Sequence, residues 1–188
     1  GLTSVKLPAV LKVIGSSAFS TNRLVELDLA NFSLIENIGD RAFFYNKIET
    51  LNLTGCTSLS AIGNESFRMN KLTSLSLSSC TSLTSIGNYA FYTNRLTNVD
   101  ITDCKSMLSI GNYAFNSFSG GFDLPEVTYL GVNYKTWKDG SGNSYIAGID
   151  KVSDFSNSYK FYILVQDEED ICDGETYVFG YQNLTTAG

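Results

Sequence analysis

Apolar side chains recur along the first two thirds of the chain at a fixed step of 24 residues. Leu51, Leu53, Leu59, Ile62 and Phe67 each have an apolar counterpart one step away in either direction. Three full copies run Leu24–Lys47, Ile48–Lys71 and Leu72–Arg95. A fourth opens with LTNVDITDCKSMLSIGNYAF at Leu96, and a shorter first copy fills Leu2–Arg23, lacking two residues after Leu7. The word IGNYAF appears at Ile86–Phe91 and again at Ile110–Phe115, and a degraded sixth strand, FDLP, sits at Phe122–Pro125.

Within a copy, the L-x-L alternation predicts a short strand with one buried face. The glycine after each Ile (Gly15, Gly39, Gly63, Gly87, Gly111) suits a tight backbone turn. Asp40, Asn64, Asn88 and Asn112, with Ser16 in the first copy, read as N-caps of one short helical turn carrying the Ala-Phe pair. Asn22, Asn46, Asn70 and Asn94 then end that turn, because Asn tolerates the left-handed conformation. A single unit buries too little apolar surface to offset the entropy of ordering it, so units must stack. The expected fold is an α/β solenoid of about five 24-residue units. Its parallel strands, ~4.8 Å apart, line a concave face.

From Val127 the period is lost, and aromatic-rich strands alternate with turns, the strongest turn being DGSGN at Asp139–Asn143. This segment is read as a β-rich cap over the open end of the solenoid core. QDEED at Gln166–Asp170 reads as an acidic linker. The expected organisation is a solenoid over 1–126, a β-rich cap or small β domain over 127–165, and the linker with the first strands of a further module over 166–188.

Composition narrows the function. Hydrophobic residues make up 43% of the chain, enough for a packed core. No apolar run reaches membrane-spanning length. The opening GLTSVKLP has no basic stretch before an apolar run, which reads as a processed chain or an internal fragment. The net charge of −6 is uneven. Residues 1–119 carry 9 basic and 8 acidic side chains, whereas residues 120–188 carry 4 and 11. Nothing here offers the basic surface that nucleic acid requires. There is no histidine, which removes the commonest general base and zinc ligand, and no Cys-x-x-Cys pair among the four cysteines. The chain is read as non-enzymatic, with no cofactor.

The stretch Ile48, Leu51, Leu53 and Cys56, with the units starting at Leu72 and Leu96, meets the L-x-x-L-x-L-x-x-C pattern. With the tail I-G-x-x-[AS]-F, this is similar to the BspA-type bacterial leucine-rich-repeat family, over roughly residues 2–125. One departure is the Pro after the second strand Leu, present only as Pro8 and Pro125. The resemblance implies a right-handed leucine-rich-repeat solenoid in a secreted or cell-surface protein, as found in Bacteroidota and treponemes. ICDGETYVFGYQNLTTAG, Ile171–Gly188, resembles the start of a β module common in large secreted Bacteroidota proteins. That likeness implies a fragment of a larger multidomain adhesin-like protein exported by the type IX route, with the partner of Cys172 beyond Gly188. The implied partners are host, prey or neighbouring-cell surface proteins or glycans. The alternative is a structural subunit of a multimeric surface appendage assembled by solenoid–solenoid contacts, that is, a homo-oligomer.

Several candidate surfaces follow. The outward strand positions Ser4, Glu26, Thr50, Ser74 and Asn98, with Lys6, Asp28, Asn52, Ser76 and Asp100, form a polar recognition face or a merely solvated one. Arg23, Lys47, Lys71 and Arg95 form a basic column along one edge, open to an anionic partner or screened by Glu26 and Glu49. Tyr45, Tyr89, Tyr92 and Tyr113 decorate the convex turns, for adhesion or for core cover. Cys56, Cys80 and Cys104 share one column and read as buried thiols rather than a metal or redox ladder, because Phe32 occupies the same column and no histidine is near. Asp139, Ser141, Asn143 and Asp150 have calcium-loop spacing, but Ser144 stands where that loop needs Gly, so a hairpin turn is favoured. Weak calcium uptake near the acidic C-terminal part stays open.

Overall fold

The structure, a computed structural model, describes residues 1–115, 122–129, 132–139, 143–146, 151–152 and 161–163. In the repeat region the strands are β1 (Val13–Ile14), β2 (Glu26–Asp28), β3 (Asn37–Ile38), β4 (Thr50–Asn52), β5 (Ala61–Ile62), β6 (Ser74–Ser76), β7 (Ser85–Ile86), β8 (Asn98–Asp100) and β9 (Ser109–Ile110). Beyond it lie β10 (Phe122–Asp123), β11 (Val127–Tyr129), β12 (Val132–Tyr134), β13 (Thr136–Lys138), β14 (Ser144–Ile146), β15 (Lys151–Val152) and β16 (Phe161–Ile163).

The chain coils into a parallel-strand β-solenoid. The L-x-L segments become β2, β4, β6 and β8, which pair in parallel as β2 with β4 and β6 with β8. The register is one repeat, so Glu26 lies beside Thr50 and Ser74 beside Asn98. A second parallel ladder runs through the Ile of each I-G pair, in the order β1-β3-β5-β7-β9. That continuous ladder is not visible in the sequence. The I-G pairs look like turns because their strands are only two residues long, too short to show a period of two. The same sheet extends into β16, β13 and β14, with β16 antiparallel to β9.

No helix occurs among the described residues, which corrects the α part of the expected α/β class. The I-G-x-x-A-F segment makes successive β-turns instead. In each unit the amide at the Ala position, Ser66 in one, bonds back to the Gly carbonyl, as from Ala42 to Gly39 at 3.2 Å. The residue between the polar position and Ala takes a left-handed φ: Ser17, Arg41, Glu65, Tyr89 and Tyr113 lie at 53–58°. A second left-handed residue, Thr21, Tyr45, Met69 or Thr93, precedes each Asn. Two left-handed residues per turn segment are incompatible with a continuing right-handed helix.

The core is a stack of side-chain columns. Phe19, Phe43, Phe67, Phe91 and Phe115 stack ring on ring with centroids 5.2–5.7 Å apart. Such pairs contribute about 0.5–1.5 kcal/mol each beyond burial. The Leu and Ile columns pack against them, and Leu124, Val127 and Trp137 join the same cluster. The Trp137 indole N–H donates to the Pro125 carbonyl at 2.9 Å.

The repeated polar columns hold neighbouring units together, rather than capping a helix. Asn70 is the pattern: its Oδ1 accepts the Ile48 amide at 3.0 Å, and its Nδ2 donates to the carbonyls of Phe43 at 2.9 Å and Phe67 at 3.1 Å. Asn46 and Asn94 repeat this, and Asn22 takes the Leu2 amide at 2.8 Å. None of these asparagines is left-handed; the residue before each one is. In the other column the side-chain oxygens of Asp40, Asn64 and Asn88 accept the amides of Asn64, Asn88 and Asn112 at 2.7–2.8 Å. Gly63, Gly87 and Gly111 are required by close approach, not by φ: a Cβ there would lie 2.4–2.6 Å from the backbone of the preceding unit.

Candidate recognition surface

The outward strand positions separate into two columns with different duties. Asp28, Asn52 and Asp100 each turn their Oδ1 back to the amide two residues on, at 3.0, 3.1 and 3.2 Å, closing the turn after the strand. Asp100 also accepts the Thr102 hydroxyl at 2.8 Å, and Ser76 bonds Ser78 at 3.0 Å. This column is built into local structure. The neighbouring column, Glu26, Thr50, Ser74 and Asn98, is exposed, and its side chains make no hydrogen bond or ion pair among the described residues. Ser4 and Lys6, in the first unit, are also exposed, but they lie outside the paired strands.

Three residues before the free column runs the basic one. The amides of Arg23, Lys47, Lys71 and Arg95 bond to the carbonyls of Leu2, Leu24, Ile48 and Leu72 at 2.8–3.0 Å, which puts the four residues in register. Lys71 pairs with Glu49 at 3.2 Å. Arg23, Lys47 and Arg95 are exposed and form no ion pair among the described residues. Glu26 makes no ion pair with the column among the described residues, and Glu49 engages one member of it.

Tyr89, Tyr92 and Tyr113 are half-buried and direct their rings at one another: Tyr89 stacks on Tyr113 at 5.0 Å, and Tyr92 meets both edge-on. The Arg68 guanidinium lies 5.3 Å from the Tyr92 ring, 5.7 Å from Tyr89 and 5.9 Å from Phe44. Arg68 donates to Glu65 at 2.7 Å, and Arg41 donates to both Glu65 oxygens at 3.1 Å. Burial works to raise the Glu65 carboxyl, but the hydrogen bonds from Arg41 and Arg68 outweigh it and hold it below its ordinary range. This network escapes a sequence reading because Arg41, Glu65 and Arg68 occupy variable positions of the repeat. Tyr45, tilted over Phe44, stays half exposed.

The thiols of Cys56, Cys80 and Cys104 are buried and unbridged. Cys56 donates to the Leu29 carbonyl at 3.2 Å and Cys104 to the Leu77 carbonyl at 3.4 Å. Burial pushes the three thiols up to about 11, 12 and 12 respectively. Asp139 is buried, accepts the Asn143 amide and side chain at 2.9 and 2.8 Å and the Tyr145 hydroxyl at 3.1 Å, and closes the β13–β14 hairpin. Ser141, Asp150, Cys172 and the segment 166–188 lie outside the described residues.

These features define a class of protein: a scaffold of stacked repeats, in which buried columns hold the coil and exposed columns are free to differ. The family is then identified by comparison. The BspA type leucine rich repeat region matches residues 1–120 in six copies, and the chain belongs to that family. No curated protein and no solved structure matches it. Among the described residues no helix is long and apolar enough to cross a membrane.

Proposed function

We propose that the chain is a non-enzymatic recognition and adhesion region of a larger, secreted bacterial surface protein, and that it binds protein or glycan partners through its exposed strand columns. The observation that carries this reading is the division of duties between columns. The Gly, Phe and Asn positions of the frame keep their residue from unit to unit, whereas Glu26, Thr50, Ser74 and Asn98 all differ and their side chains bond to nothing among the described residues. A periodic scaffold with free outward positions is how stacked repeats commonly bind partners. Membership of a family whose proteins are typically surface or secreted supports the setting. We read β13, β14 and β16, which continue the sheet past β9, as part of a cap on the solenoid.

A screen of glycans and cell-surface proteins against the chain tests this. A ligand whose binding falls in a Glu26→Thr/Ser74→Thr/Asn98→Thr variant supports the strand face. Binding that is unchanged moves the site elsewhere.

A second reading, a subunit of a surface appendage, is favoured by one observation. β1 is the terminal strand of its sheet, its Val13 is half exposed, and Leu2 and Val10 of the same first unit are half exposed or more. Sizing the chain across a wide concentration range separates the two readings, because a strictly monomeric chain is no assembling subunit.

A further inference from the structure

The four cations Arg23, Lys47, Lys71 and Arg95 do nothing for the fold with their charges, apart from the exposed Lys71–Glu49 pair. Such exposed pairs contribute little to stability. Like charges aligned on successive strands repel. Their residue types differ along the column, Arg-Lys-Lys-Arg, yet the positive sign is kept in four successive units, and only the unit from Leu96 departs, with Ser119. The adjoining exposed column kept neither type nor sign, since it reads Glu26, Thr50, Ser74, Asn98. Side chains that diverged in chemistry but held their charge, at an energetic disadvantage to the folded chain, point to a ligand that reads charge alone.

The geometry of the column says which kind. Backbone hydrogen bonds place the four residues on consecutive coils, in line, at the ~4.8 Å spacing of neighbouring strands. A linear, evenly spaced array matches an extended polymer with an anionic group on successive monomers; the acidic patch of a folded protein has no such period. The residues beside Lys71 and Arg95 are Thr73, Ser74, Thr97 and Asn98, exposed hydroxyls and an amide suited to sugar hydroxyls. Tyr45, two residues before Lys47 in the chain, is 52% exposed. Arg23 and Arg95 can hold a carboxylate or a sulfate through paired donors.

We propose that this basic column binds a linear anionic polysaccharide, laid along the stack from Lys47 to Arg95 with its carboxylates or sulfates over the cations. This rests on the recognition reading above and names the ligand class for it.

The test is calorimetric titration of the chain with polygalacturonate and with heparin, beside neutral dextran and polyglutamate. At low salt at least one of the two polysaccharides binds while dextran does not, and affinity falls by about tenfold or more in 0.5 M salt, as screening shortens the reach of the charges. A Lys47→Gln/Lys71→Gln/Arg95→Gln variant loses about tenfold or more, while Lys12→Gln/Lys105→Gln, which removes exposed charges elsewhere, changes affinity by less than about twofold. Two polysaccharides that fail to bind, a control that loses as much as the column variant, or polyglutamate that binds more tightly than both would each overturn the proposal. If both polysaccharides fail while a protein or neutral glycan from the wider screen binds, the recognition reading stands and only this ligand is removed.

Discussion

The Asn70 side chain takes the backbone amide of Ile48, 22 residues earlier and one coil below, at 3.0 Å. The Ile48 side chain is fully buried, so no water replaces that bond if it is lost. Asn70→Ala removes this acceptor together with the donors to Phe43 and Phe67. Leaving buried backbone groups unpaired costs about 2–4 kcal/mol here, a fall of about 5–15 °C in Tm. Thermal unfolding followed by circular dichroism reads it. Asn70→Asp keeps the acceptor but not the donors, and sets a carboxylate against two carbonyls. It is expected to be the more damaging at neutral pH.

Glycine substitutions divide by position. Gly87→Ala would set a Cβ 2.5 Å from the Asn64 nitrogen and 2.6 Å from the Gly63 carbonyl carbon, and backbone of the unit below does not yield easily. A loss of about 2–3 kcal/mol is expected. Gly15→Ala meets nothing within 4 Å among the described residues and has no left-handed φ. It should be neutral or stabilising by up to about 1 kcal/mol, through the unfolded chain. Denaturant midpoints of the two variants check both.

The period, the Leu, Ile and Phe columns and the L-x-L strands are legible in the sequence, because apolar burial repeats with a fixed step. The identity of the family follows from the same columns. What stays hidden is the work of the polar columns. Asn46, Asn70 and Asn94 find their partners 22 and 27 residues back, so each looks like a local turn residue until the coils are stacked. The signal in the sequence is an Asn kept in the same place in four successive units, each time before Lys or Arg, although Gly, Asp or Ser would serve a local turn as well. The glycines mislead in the same way, since close approach and φ freedom call for the same residue. On the surface, the sequence locates the outward strand positions, but it does not separate Asp28, Asn52 and Asp100, which close turns, from Glu26, Thr50, Ser74 and Asn98, which do not.

Ser66 departs from its column. The sister residues are Ala18, Ala42, Ala90 and Ala114, and the Ser66 hydroxyl is buried with no hydrogen-bond partner among the described residues. Ser66→Ala removes that unpaired group and should stabilise the chain by about 1 kcal/mol. A raised denaturant midpoint at unchanged slope is the expected signature.

Cys56, Cys80 and Cys104 are held as thiols by burial, with Cys80 and Cys104 pushed up to about 12. Their folded values exceed their unfolded ones, so their contribution to stability is fully present below the ordinary thiol range and lost as pH rises through about 9 to 12. In the native chain a disulfide reagent at pH 8 should leave all three unmodified, and denaturant should release them. Modification at the rate of a free thiol would contradict their burial.

The separation of frame from face is tested most directly by melting two variants side by side with the parent chain. One is Asn70→Ala. The other, Glu26→Thr/Ser74→Thr/Asn98→Thr, makes the free strand column uniform with Thr50. The uniform column should melt within about 3 °C of the parent, because exposed substitutions that break no contact stay within about 0.5 kcal/mol each, while Asn70→Ala falls well below it. If the uniform column melts as low as Asn70→Ala, those side chains belong to the frame, and they are not a surface left free for a partner.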